Sequence, residues 1–185
     1  MILPIVAFGD PVLKKVASDV EASYTELPQL IDSMFETMEN SHGVGLAAPQ
    51  IGKSIRVFVV DTSAFDDEYP EAKDFREAFV NARITEEFGD KWNFNEGCLS
   101  IPGIREDVNR HSKLKMTYYD RNWNKHEKEF SGIIARVIQH EYDHIEGKLF
   151  IDHVSSLKKT LLKGRLNDIS RGKVDVNYKM RFFRK

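Results

Sequence analysis

Apolar residues recur at three- and four-residue intervals from Thr25 to Asn40. Leu27, Leu30, Ile31, Met34 and Met38 share one stripe, which predicts a helix with Thr25 as its cap. Gly43 and Gly45 end that helix and open a loop. The run Ile55 to Val60 is β-branched and bounded by Asp61, so it reads as a strand. Phe65 to Glu77 is acidic and shows no period, as a surface loop would. Ala78 to Ile84 and Lys113 to Tyr119 read as further strands, the second with Leu114, Met116 and Tyr118 facing inward. A second helix is expected after Ser131-Gly132, with Ile134, Val137, Ile138 and Tyr142 along one face and Gly147 as its stop. A third starts at Ser155 or Ser156 and carries Leu157, Leu161, Leu162, Leu166 and Ile169. Val174, Val176, Tyr178, Met180 and Phe182 then alternate strictly, which predicts a last strand. Strands mixed with a few helices, without regular βαβ order, indicate an α+β fold.

Length adds that residues 1–185 make a single domain, ending in a basic helix and strand-like tail at 155–185. No apolar run nears the ~18 residues of a membrane span. Met1 to Val6 is apolar but short and lacks a basic leader, so it reads as a mature start. The single cysteine, Cys98, excludes an intrachain disulfide and suggests a reducing, cytoplasmic setting. The net charge of -2 hides an asymmetry: Lys158 to Lys185 holds ten Lys and Arg against Asp168 and Asp175, an excess of +8. Such a segment is either a docking surface for nucleic acid or a solvated helix face.

The strongest chemical signal is His140-Glu141-Tyr142-Asp143-His144. Histidines four apart on a helix share a face, so both imidazoles can reach one metal ion, with Glu141 placed to act on a water there. A third protein ligand is then required. Phe150 stands where one protease pattern has a further His, and no glutamate follows Glu146, as another pattern needs. Those gaps weigh against a zinc endopeptidase, the main alternative reading. Asp152, His153 and Asp168 remain as donors but fit neither pattern. Cys98, upstream in Glu96-Gly97-Cys98-Leu99-Ser100, is the obvious candidate, and a thiolate suits iron or zinc better than magnesium or calcium. In Gly43-Val44-Gly45-Leu46-Ala47-Ala48-Pro49-Gln50, bare backbone suits pairing with an extended peptide. The Gln50 amide there can donate to a developing oxyanion.

Together the three segments resemble the peptide deformylase family, whose signatures read G-φ-G-φ-A-A-x-Q, E-G-C-φ-S and Q-H-E-φ-D-H, with φ apolar. They stand here, in that order, at Gly43 to Gln50, Glu96 to Ser100 and Gln139 to His144, with Tyr142 as an aromatic variant. The resemblance implies antiparallel strands packed around a central helix that carries H-E-x-x-H. It implies that Cys98, His140 and His144 bind one divalent ion, usually Fe(II), with zinc, nickel or cobalt as other occupants. Glu141 would be general base and acid; Gln50 and the Leu99 N–H would form the oxyanion hole. Gly45, Glu96 and Gly97 would contact substrate, Arg105 would hold the peptide chain, and Val44, Ile133 and Val137 would line a methionine pocket. The substrates would be N-formyl-methionyl nascent peptides, with the basic C-terminal segment available to the ribosome. Two positions depart from the pattern: Asn81-Ala82 replaces Asn-Pro, and Arg136 is expected at the pocket rim.

Overall fold

The computed structural model describes residues 1–183; Arg184 and Lys185, the end of the basic segment, lie outside the described residues. Strands β4 (Arg76–Cys98) and β5 (Ile101–Tyr119) form a long hairpin that turns through Leu99 and Ser100, with Cys98 paired to Ile101. They are the middle of a five-stranded antiparallel sheet ordered β2 (Gly45–Ala47), β3 (Val57–Asp61), β4, β5, β6 (Lys125–Ser131). Four register shifts bend the β4–β5 ladder. The sequence pattern finds only the parts of β4 and β5 around Ala78–Ile84 and Lys113–Tyr119. Between Thr85 and Lys91 the strand is mostly exposed, so the backbone ladder holds it without a hydrophobic period to reveal it.

Strand β3 is buried on both faces. Val57 and Val59 pack with helix α1 (Leu27–Asn40), while Phe58 and Val60 pack with helix α2 (Gly132–Ile145). That double burial explains the unbroken apolar run. Leu27, Leu30, Ile31, Met34 and Met38 are buried in α1 as expected, but Thr25 does not cap it. Glu26 precedes the helix with no side-chain cap, and Pro28 sets the first turn instead. Leu114, Met116 and Tyr118 face the α2 core as the alternation predicts.

Helix α3 (Ser156–Ser170) is capped by Ser155, whose hydroxyl accepts from the Lys158 N–H at 3.3 Å. Leu162, Leu166 and Ile169 bury against Ile104, Val108 and Phe150, whereas Leu157 and Leu161 are exposed. The tail keeps its alternation of half-buried Val174, Val176, Tyr178, Met180 and Phe182. Among its described residues only β7 (Met180–Arg181) pairs, however, in parallel with β1 (Ile5–Val6). Residues 65–77 are more ordered than a free loop: the Thr62 hydroxyl donates to the Ala72 carbonyl at 2.9 Å, and Ala72 is fully buried. Asn81 adopts φ 51°, and its side-chain amide bonds both the N–H and the C=O of Val20 at 2.8 Å. No helix among the described residues is long and apolar enough to cross a membrane.

Candidate metal and catalytic site

The hairpin turn delivers Cys98 to the α2 histidine pair. One ligand atom each from Cys98, His140 and His144 lies within 4.8 Å of the others, and Cys98 Sγ is 3.4 Å from His144 Nε2. Four-residue spacing on α2 brings the two imidazoles together edge to face, with centroids 5.2 Å apart.

Each imidazole is set up differently. His140 Nδ1 bonds Glu96 Oε2 at 2.8 Å, which fixes the ring. Glu96 is itself buried and takes hydrogen bonds from Arg110 Nε at 2.8 Å and Arg136 Nη1 at 2.9 Å. Burial works against its charge, but hydrogen bonds from His140 and Arg110 prevail and hold its carboxyl well below the usual range. Burial likewise opposes charge on His140, while hydrogen bonds with Cys98 and Glu96 hold its pKa up. For His144, burial and then the neighbouring His140 push the pKa down to about 3, so its imidazole is neutral.

Glu141 sits between these histidines in sequence and is 3% exposed, with Oε2 lacking any hydrogen-bond partner among the described residues. Burial pushes its carboxyl up to about 7. Gln50 is oriented by the Ala47 N–H, which donates to Oε1 at 2.8 Å, and that aims Nε2 at Cys98 Sγ, 3.4 Å away. Leu99 is pinned from the tail, where Tyr178 Oη donates to its carbonyl at 2.8 Å. Burial and the nearby Cys98 push the Tyr178 hydroxyl up to about 12, so it stays a donor.

A cleft of about 1030 Å³ opens on these groups. Val44, Gly45, Gly97, Arg105 and Val137 line it, but Ile133 does not; it is fully buried in the core. Arg105 is tied to Asn95, its Nε donating to Oδ1 at 2.8 Å. Glu96 reaches the cleft wall, yet its carboxylate is taken up by Arg110, Arg136 and His140. Arg136 does line the cleft, but as a buried wall residue and not at an exposed rim. It is 1% exposed, donates to Glu96 Oε1 and to the carbonyls of Trp92 and Val108, and lies 4.7 Å from the Trp92 ring centroid.

Sequence reasoning missed Arg110, which joins Glu96 to Asp143 through a 2.7 Å contact, and weighed His153 only as a metal donor, whereas it bonds Asp143 at 2.7 Å. One signal was present: the inward alternation of Leu114, Met116 and Tyr118, run backwards, places Arg110 inside, where a guanidinium needs a carboxylate.

These features recur in known proteins. The family model for polypeptide deformylase matches residues 2–160. The chain belongs to the polypeptide deformylase family. Peptide deformylase of Cytophaga hutchinsonii is 58% identical over 182 residues, 98% of either chain. That of Christiangramia forsetii is 55% identical over 189 residues, 98% of this chain and 96% of the relative. A crystal structure of a peptide deformylase from Legionella pneumophila superposes with a TM-score of 0.80 at 37% identity, covering 94% of this chain and 98% of that one. As in deformylase structures, an antiparallel sheet and a helix with His140 and His144 meet Cys98 in an α+β fold. A thiolate and two imidazoles, with a partnerless carboxylate oxygen beside them, fit a borderline-soft divalent ion.

Proposed function

We propose that this deformylase works with Glu141 as its proton carrier, and with Cys98, His140 and His144 holding one divalent ion, Fe(II) by preference. Zinc, nickel or cobalt would suit the same donors. Hydrolysis of the N-formyl group from peptides, as a metallohydrolase, is the activity of the family to which the chain belongs. The observation that carries the reading is the convergence of the three ligand atoms within 4.8 Å, beside a buried Glu141 with an unpartnered oxygen.

When bound, the ion supplies Lewis acidity to the formyl oxygen and makes water more acidic. Glu141 accepts a proton from the attacking water and returns it to the departing amine nitrogen, leaving formate and a free N-terminus. Gln50 Nε2 and the Leu99 N–H hold the formyl oxygen as negative charge gathers on it. Gly45 and Gly97 offer backbone to the peptide, Val44 and Val137 its apolar methionine side chain, and Arg105 a charge beside the chain. Ile133 supports Val137 from within the core instead of touching substrate, and Glu96 orients His140. The endopeptidase alternative is set aside, because the third ligand is an upstream thiolate and the family match is to deformylases.

The substrates of a deformylase are formylated nascent peptides. That supports placing the enzyme in the cytoplasm, where such chains emerge, as one catalytic domain over residues 1–185. The +8 excess from Lys158 onward supports contact between that segment and the ribosome. Part of this charge is spent internally: Lys158 pairs with Glu106, and Arg165 bonds the Gly103 carbonyl. Formate release from formyl-methionyl peptides by anaerobically purified protein tests the catalytic reading. Salt-dependent cosedimentation with ribosomes tests the docking surface.

A further inference from the structure

We propose that Val174–Asn177 is a second binding strand for the substrate, receiving the main chain that follows the formyl-methionine. The inference rests on reading the cleft as the deformylation site and concerns what that cleft does with longer peptides.

Val174 to Tyr178 line the same cleft as Gly97, His140 and Glu141. The segment follows α3, and its backbone N–H and C=O groups from Val174 to Asn177 make no hydrogen bond to other main chain among the described residues. Both ends are nonetheless fixed. The Lys173 N–H donates to the Asp168 carbonyl at 2.9 Å, and the Tyr178 hydroxyl is held on Leu99. Just beyond, the N–H groups of Ile5 and Ala7 donate to the carbonyls of Lys179 and Arg181 at 2.8 and 2.9 Å. A short unpaired length of chain is thus stretched between two anchors along the wall of a peptide-binding cleft.

Unpaired backbone held in place is what β-strand addition requires: main-chain bonds give affinity, and side chains alternate between the two faces. Val174 and Val176 are half-buried while Asp175 and Asn177 are exposed, so the segment already has that alternation. Four residues reach at most about 13 Å, which matches about four residues of an extended ligand. The occupant is the peptide itself, because the strand is continuous with the cleft in which its formylated end reacts.

The test compares the metal-loaded native enzyme with Asp175→Pro and Val176→Pro, using formyl-Met-Ala and a formylated hexapeptide. Adjacent N–H groups in an extended chain point to opposite edges, so the two prolines remove donors from opposite sides. One proline should raise the hexapeptide KM about three- to tenfold, leaving kcat and all dipeptide kinetics within about twofold. The other should leave both substrates unchanged, which also shows that the tail still folds. Equal effects of both prolines, equal effects on both peptides, or no effect at all would overturn the proposal. Dipeptide turnover by the native enzyme tests the catalytic reading separately, so failure of the one is distinguishable from failure of the other.

Discussion

Gly45 and Glu141 are in contact across the strand-to-helix interface: a Cβ on Gly45 would stand 2.7 Å from both Cγ and Cδ of Glu141. No ordinary side chain fits there, so the glycine at the start of β2 sets where the carboxylate of α2 can lie. Gly45→Ala should therefore displace Glu141 while leaving Cys98, His140 and His144 in place. A displacement of this size is expected to lower kcat by about 10²-fold, with metal content unchanged. Steady-state kinetics paired with metal analysis reads both; loss of the metal together with activity would show that the glycine serves the ligands instead.

Glu141→Gln keeps the shape and removes the proton acceptor. Turnover should fall by about 10²–10⁴-fold with the ion still bound. Formate release under single-turnover conditions measures the loss without interference from product release, and near-native turnover would remove Glu141 from its role.

The carboxylate of Glu96 serves His140 on one side and two buried guanidinium groups on the other. Glu96→Gln should weaken metal affinity about 10–100-fold, as read by competition with a chelator. Glu96→Ala strands the nearly fully buried Arg136 and leaves Arg110 with Asp143 alone, and should cost about 3–5 kcal/mol of stability in denaturant melts.

The turn between β5 and β6 carries an acid-sensitive contribution. Asp120 Oδ1 accepts the N–H groups of Asn122 and Asn124 at 2.8 and 3.0 Å, and Oδ2 meets His126 Nε2 at 3.0 Å. Burial opposes its charge, but the hydrogen bonds with His126, Asn124 and Asn122 together outweigh it and place its pKa below the ordinary range. A lowered folded-state pKa stabilises the fold above the unfolded value of about 3.9, and that benefit disappears as pH falls through the lower folded value. Asp120→Ala should thus melt earlier than native protein at neutral pH, with the gap closing below about pH 4. A gap that is constant with pH would contradict this.

How much of the molecule the sequence discloses depends on what each residue faces. The three ligands and Glu141 were legible because a helix turns a four-residue spacing into a shared face, and because the resemblance to deformylases singles out Cys98 among the remaining donors. The core strands were legible where a face is buried, as at Leu114, Met116 and Tyr118. The outer part of the β4–β5 hairpin was not, since exposed backbone pairing leaves no apolar rhythm. The charge network of Arg110, Arg136 and Asp143 was hidden for a different reason. Buried ion pairs are made by register between distant elements, and composition carries no trace of who meets whom. Arg136, expected at the rim, is drawn inward because Glu96 needs a second cation as much as the guanidinium needs an anion.

The most direct trial of the account is metal analysis of anaerobically purified native protein beside Cys98→Ala. About one equivalent of a divalent ion is expected in the native protein, and loss of most of it in the variant, whose fold should persist because the alanine leaves the α2 core untouched. Retention of the ion by Cys98→Ala with undiminished affinity would contradict the three-ligand site on which the chemistry depends.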